Sequence, residues 1–186
     1  MIYFIGGAPC TGKSTLAKEI AYRLDITNII CTDTIRCVLR QAFTPDDYTF
    51  MYPESHEAWK AYSHKFTPDT LRKGFMAQCE MICTYVIGLI IDAKKYEKIT
   101  LIEGVHALPS ILSKYTTKAI VLDVPDVEEH KERLTGKKGS AKYKREFIGF
   151  RTLRDLILED AEEAGVDVID NPYKAHAIEK IVEAFS

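Results

Sequence analysis

Gly7, Gly12, Lys13 and Ser14 stand at the spacing GxxxxGK[ST] within the stretch GGAPCTGKST, Gly6 to Thr15. That spacing serves the holding of a polyphosphate. A glycine-rich turn lets successive backbone N–H groups converge on an anion, and the helix that follows offers its positive N-terminal end. Gly7, Ala8, Pro9, Cys10, Thr11, Gly12, Lys13, Ser14 and Thr15 are therefore the candidate nucleotide-binding residues. Lys13 is the side chain to reach the β- and γ-phosphates, and the Ser14 hydroxyl is a ligand for Mg²⁺. The required context is present, with a short apolar strand, Ile2–Ile5, before the loop and a helical segment, Ser14–Leu24, after it.

Other charged residues fall where apolar runs end. Thr32-Asp33-Thr34-Ile35-Arg36 follows the second such run. Asp33 is a candidate to deprotonate or orient an acceptor hydroxyl, a role compatible with its commoner use as a helix N-cap. Arg36 and Arg40 lie one helical turn apart and could grip an anionic acceptor together, although Arg40 could equally be a solvated helix-face charge. The third run, Leu101-Ile102, ends in Glu103, where a carboxylate would hold Mg²⁺ or its waters; the usual residue at such a position is Asp. His106 is a candidate substrate contact, with no second His or Cys at metal-ligand spacing beside it. Lys137, Lys138, Lys142, Lys144 and Arg145 cluster around Gly136 and Gly139 and could close over ATP as a lid. Arg151 and Arg154 follow on the next helix, where one or both could point into the cleft.

The elements that must carry these residues alternate along the chain. Strands are expected at Ile2–Ile5, Asn28–Cys31, Ile99–Ile102, Lys118–Val124 and Val166–Ile169. Helices are expected at Asp33–Gln41, Glu54–His64, Asp69–Tyr96, Val127–Thr135, Lys144–Glu163 and Pro172–Phe185. Thr44-Pro45, Thr67-Pro68 and Asn171-Pro172 each place a cap residue before an N1 proline. The alternation predicts an α/β fold, a doubly wound parallel sheet of about five strands with helices on both faces. The GxxxxGK[ST] loop makes it of the P-loop NTPase type, and the basic segment would be a short lysine-rich lid. In such sheets ligands bind outside the carboxyl ends of the strands, where Asp33 and Glu103 stand.

The 186 residues fit one domain, 1–186, with a lid at about 133–145 and an acceptor-side helical region at about 34–75. The net charge of −2 gives no general pull toward nucleic acid or a membrane surface. Five cysteines form no CxxC pair, and their odd number without a secretory leader predicts reduced thiols in a cytoplasm. Ile82–Ile91 is interrupted by Tyr85 and Gly88 and followed by Asp92, and reads as buried helix rather than a membrane span; Cys79 and Cys83 belong with it as core.

Together these motifs resemble those of the small-molecule and nucleotide kinases of the P-loop class, which include adenylate, gluconate and shikimate kinases. Gly7-Ala8-Pro9, Thr32…Arg36 and Arg133-Leu134-Thr135-Gly136-Lys137 are similar to adenylate kinase. That resemblance implies that Arg133 stacks on adenine and that Lys137 belongs to the lid over the nucleotide. After its third strand, however, adenylate kinase has Asp-Gly-Phe-Pro-Arg, whereas this chain has Glu103-Gly104-Val105-His106-Ala107-Leu108-Pro109.

A second resemblance covers more of the chain. The P-loop, Thr32-Asp33-Thr34-Ile35-Arg36, Gly74-Phe75…Gln78, Ile102-Glu103-Gly104-Val105-His106…Pro109, His130…Arg133 and Val168-Ile169-Asp170-Asn171 look like 2-phosphoglycerate kinase, in order. The resemblance implies transfer from ATP to the free hydroxyl of 2-phosphoglycerate, giving 2,3-bisphosphoglycerate and ADP. Arg36, Arg151 and Arg154 would then supply cationic partners for the acceptor. Longer members of that family carry a domain before the P-loop, whereas this chain starts at the strand, and its lid is lysine-rich. Two alternatives stand beside this reading: a nucleoside or nucleoside monophosphate kinase, and an ATP-binding regulatory protein without a small-molecule acceptor.

Overall fold

A computed structural model describes residues 1–138, 140–171 and 174–185, with side chains at all of these except 137, 138, 140–145 and 174–177. In chain order the elements are β1 (Ile2–Gly7), α1 (Lys13–Arg23), β2 (Asn28–Cys31) and α2 (Thr32–Ala42). Two short 3₁₀ segments, Thr49–Met51 and Ser55–Ala61, lead to α3 (Pro68–Lys95) and β3 (Thr100–Glu103). The chain continues through α4 (Pro109–Leu112), β4 (Lys118–Asp123), α5 (Val127–Lys138), α6 (Ser140–Glu163), β5 (Asp167–Asp170) and α7 (Lys174–Phe185).

All strand pairs are parallel, and the sheet order is β2-β3-β1-β4-β5. The apolar character of β1 on both sides requires this central position, because a parallel strand is covered on both faces. Ile2 and Phe4 pack with Ile30, Ile82, Val86 and Ile102 beneath α2 and α3. Tyr3 and Ile5 face the other way, onto Leu16, Ile20 and Phe185 of α1 and α7. A third cluster joins Val121 of β4 to Phe75 of α3 and Leu153 and Ile157 of α6.

The expected strands and the main helices are present within a few residues. Long helix α3 starts where Thr67 caps it: the Thr67 hydroxyl accepts from Thr70 N–H at 3.1 Å, with Pro68 at the first turn. Its composition and length would suffice to cross a bilayer, but Leu71, Phe75, Cys79, Ile82, Cys83, Val86 and Ile90 are buried in the protein core.

Three local expectations change. The segment expected as a helix over Glu54–His64 is instead the tighter 3₁₀ run Ser55–Ala61, wedged between α3 and α6. Both helices have a glycine at the contact. A Cβ on Gly74 would lie 2.5 Å from the Ala58 carbonyl carbon, and one on Gly149 would lie 2.7 Å from the His56 carbonyl oxygen. Thr44-Pro45 opens only a turn, in which the Thr44 hydroxyl donates to Asp47 at 2.7 Å, and Phe43 packs against Tyr48 with ring centroids 4.5 Å apart. Finally, α5 runs on to Lys138 and α6 begins at Ser140, so helix covers most of 133–145. The Lys and Arg residues there are good helix formers.

Candidate active site

The carboxyl ends of β1, β3 and β2 stand side by side. Register pairs Ile5 with Glu103 and Glu103 with Cys31, so the loop after β1, the Glu103 carboxylate and the first turn of α2 open onto one cavity. That cavity holds about 290 Å³ and is lined by Gly12, Lys13 and Ser14, by Asp33, Arg36 and Arg40, and by Glu103. Sequence-distant parts of the chain are thereby brought together: Pro9, Cys10 and Thr15 join from the loop, and Glu54, Ser55, His56, Val105 and Phe150 complete the wall.

The loop carries the geometry of an anion cradle. Gly12 precedes the first turn of α1 with φ 97°, and a Cβ there would lie 2.6 Å from the Asn171 amide nitrogen, so both conformation and space require glycine. The Lys13 ammonium donates to the Ala8 carbonyl at 2.6 Å, arching over the loop. Thr11 Oγ1 also donates to Ala8 O, at 3.0 Å. The Ser14 hydroxyl donates to Glu103 Oε2 at 3.1 Å. A hydroxyl and a carboxylate at the mouth of a phosphate loop are the hard oxygen donors that Mg²⁺ selects, so Ser14 and Glu103 fit that ion. Burial and the adjacent Glu103 carboxylate push the Cys31 thiol up, keeping it protonated. His56, Glu57 and Glu146 also bring ligand atoms within 4.8 Å of one another, but a His56–Glu146 hydrogen bond of 3.0 Å and a Glu57–Lys60 ion pair already engage them.

Asp33 lies on the first turn of α2 with 68% of its side chain exposed, while the imidazole behind it is fully buried. His106 Nδ1 faces Asp33 Oδ1 at 3.5 Å. The other ring nitrogen is 3.0 Å from Ser55 Oγ and 3.3 Å from Gln78 Oε1. Gln78 cannot turn freely, because its amide nitrogen donates to Phe50 O at 2.7 Å and Pro53 O at 3.0 Å. The facing His106 imidazole, assisted by the charges of Lys13 and Arg36, lowers the Asp33 carboxyl to about 2 against the opposing effect of burial. Burial in turn pushes the His106 imidazole down, opposed by Asp33. His106, expected to touch substrate, does not line the cavity; it backs Asp33.

Arg36 reaches the cavity with its guanidinium against the carbonyls of Pro53 and Tyr52, and its buried Nε has no hydrogen-bond partner among the described residues. Burial, with the like charge of Arg40, lowers it to about 10, so it is still a cation at neutral pH. Arg40 donates to Met51 O at 2.8 Å and to Tyr52 O, tying α2 to the 3₁₀ segment Thr49–Met51 and the residue after it.

The expectations for Arg151 and Arg154 are corrected. Neither lines the cavity. Arg154 grips the buried Asp123 at the end of β4 through two bonds, one of 2.7 Å, and Asp155 at 2.8 Å. Arg151 donates to Val124 O at 3.1 Å and Pro125 O at 3.3 Å. The buried Asp123 carboxylate at the end of β4 and the carbonyl of the buried Val124 next to it need donors, and these arginines supply them. Arg133 also lies off the cavity lining, beside the loop after β5, where it donates to Asn171 O at 2.6 Å and pairs with Glu129. The Lys137 side chain lies outside the described residues. The cavity residues Glu54, Ser55 and His56 were missed by sequence reasoning, which saw no spacing signal in that segment.

No family model matches the chain. Among curated proteins it is 31% identical to a 2-phosphoglycerate kinase of Methanopyrus kandleri, matching over 100% of this chain and 61% of that protein. It is likewise 31% identical to a 2-phosphoglycerate kinase of Methanocaldococcus jannaschii, over 97% and 61%. The chain thus spans about three fifths of the length of the curated relatives it matches. Among solved structures it superposes on TT1252 from Thermus thermophilus with a TM-score of 0.63 at 15% identity, covering 100% of this chain and 95% of that one. Shikimate kinase from Acinetobacter baumannii in complex with shikimate gives a TM-score of 0.62 at 13% identity, covering 99% and 92%. The five-stranded parallel sheet with its surrounding helices is the P-loop kinase fold.

Proposed function

From the premise that this chain is a homologue of 2-phosphoglycerate kinases with a P-loop kinase fold, we propose that it transfers the γ-phosphoryl group of ATP to a small anionic hydroxyl acceptor. The acceptor we assign is 2-phosphoglycerate, and the products are 2,3-bisphosphoglycerate and ADP. The observation that carries the proposal is the single cavity lined both by the phosphate loop and by Asp33, Arg36 and Glu103.

The loop amides and Lys13 hold the β- and γ-phosphates. Ser14 and Glu103 hold Mg²⁺, which when bound neutralises charge on the phosphate oxygens. Arg36, a buried cation with an unused Nε, anchors the carboxylate or phosphate of the acceptor. Asp33 accepts a hydrogen bond from the acceptor hydroxyl and aims its oxygen at the γ-phosphorus. A carboxylate held near 2 is a weak base, so Asp33 first orients the hydroxyl and takes its proton only as the new O–P bond forms. The bond to the β–γ bridging oxygen breaks, and ADP carries away that electron pair. Arg133, beside the loop after β5, flanks the adenine, and the cations of 137–145 serve as a lid.

The test is ADP release from Mg-ATP with 2-phosphoglycerate, 3-phosphoglycerate, nucleosides and nucleoside monophosphates supplied separately. Strong stimulation by 2-phosphoglycerate alone supports the assignment. Stimulation only by nucleosides or monophosphates replaces it with a nucleotide-kinase reading, and no stimulation by any acceptor leaves an ATP-binding regulator.

A further inference from the structure

The phosphate loop is held from outside at two points. His130, fully buried on α5, has its Nε2 2.9 Å from the carbonyl oxygen of Pro9. Asn171, fully buried just after β5, donates its amide N–H to the carbonyl oxygen of Thr11 at 2.6 Å. Both anchors are themselves fixed. Arg151 Nη1 lies 3.4 Å from His130 Nδ1. A guanidinium can only donate, so Nδ1 carries the lone pair and the ring proton is on Nε2, aimed at Pro9. Phe147 packs edge-on against the same ring. Asn171 continues the β4–β5 ladder, its backbone N–H donating to Asp123 O at 2.8 Å, while its own carbonyl receives Arg133.

A planar trans peptide points its C=O and the next residue's N–H in opposite directions. Holding the Pro9 carbonyl outward therefore turns the Cys10 N–H inward, and holding the Thr11 carbonyl outward does the same for the Gly12 N–H. Cys10 takes φ 65°, a conformation unfavourable for a side-chain-bearing residue, so an external tether has a cost to offset there. We propose that His130 and Asn171 are positioning residues of the phosphate loop, which aim the Cys10 and Gly12 amides at the bound phosphates through the Pro9 and Thr11 carbonyls. The inference rests on the nucleotide-binding reading above but is independent of the acceptor.

Dissociation constants for inorganic pyrophosphate and for ATP, measured by titration calorimetry on the full chain, test it. His130→Ala and Asn171→Leu each weaken both ligands by about tenfold, the scale of one lost hydrogen bond. His130→Gln, whose amide N–H can still serve the Pro9 carbonyl, stays within about threefold of the native chain. Asn171→Leu keeps the branched four-atom shape and His130→Gln nearly the side-chain volume, and thermal melting checks that each variant is folded. Unchanged pyrophosphate affinity in both His130→Ala and Asn171→Leu overturns the inference, as does a loss confined to ATP, which would place these residues on the adenosine. A His130→Gln variant as weak as His130→Ala overturns the role of His130. A native chain that binds neither ligand fails at an earlier step, and takes the nucleotide reading down together with this one.

Discussion

Replacing Gly74 with alanine inserts one methyl group where α3 touches the 3₁₀ segment Ser55–Ala61. In an open helix interior the change gains about 1 kcal/mol of intrinsic propensity. At 74 the new Cβ would lie 2.5 Å from the carbonyl carbon of Ala58 and 3.1 Å from its Cβ. Carbon contacts settle near ~3.5 Å, so the two backbones must part by about 1 Å. The obstruction is main chain, which no rotamer change relieves, and overpacking of this kind costs about 1–3 kcal/mol. The net expectation is a destabilisation of about 1 kcal/mol.

Gly88, in the same helix, is the matched control. It is exposed, and a Cβ there meets nothing within 4 Å. Gly88→Ala should stabilise by about 1 kcal/mol, opposite in sign. For a chain of this size each kcal/mol moves Tm by about 2–4 °C, so the two variants should melt about 4–8 °C apart. The displaced segment carries Ser55, which holds the ring behind Asp33. Gly74→Ala should therefore also raise the acceptor KM while leaving ATP affinity unchanged. Melting temperatures that shift in the same direction for both alanine variants would refute the packing argument.

Lys13→Ala should lose ATP affinity and turnover together, and unchanged kinetics would contradict the phosphate-loop assignment. Asp33→Asn should keep ATP affinity while turnover falls by about 10²-fold, the lower end of the range for an aligned carboxylate; full activity removes Asp33 from the mechanism. Burial pushes the His56, His106 and His130 imidazoles below their ordinary value of 6.5. The unfolded chain therefore binds more protons as pH drops, so stability is full above 6.5 and declines as pH falls through the lowered values. A urea midpoint lower at pH 5.5 than at pH 7.5 is the expected result, and equal midpoints would refute it. The Asp33 contribution persists across that interval and is lost only as pH falls from about 4 to about 2.

The phosphate loop was legible because its chemistry is local: consecutive residues supply the turn, the helix end, the ammonium and the hydroxyl. Asp33 and Glu103 were legible because a parallel sheet presents its strand ends on one side, and both stand at such an end. His106, Arg151 and Arg154, expected to reach the substrate, do not line the cavity. Where a long or buried polar side chain points depends on which distant groups lack partners. Asp123 and the carbonyls of Val124 and Pro125 claim the two arginines, and Asp33, Ser55 and Gln78 surround the imidazole. Ser55 and His56 were expected on a helix, Glu54–His64, and their place at the cavity was not legible. The 3₁₀ run that carries them is shaped by contacts with distant glycines at 74 and 149.

Strand β1 divides the sheet, with β2 and β3 on one side and β4 and β5 on the other. Asp33, Arg36 and Glu103 belong to the first side, Arg133, His130 and Asn171 to the second, and the phosphate loop springs from the strand between them. The boundary is also one of inheritance, for chain order follows it. On the proposed function most of the stretch between α1 and β4 serves the acceptor, so it can be exchanged as a cassette for another with a different acceptor, provided the incoming β3 again ends in a carboxylate to receive Ser14. The cassette must bring its own fit to α6, because Gly149 of the retained half is matched to the backbone of His56 in the exchanged one.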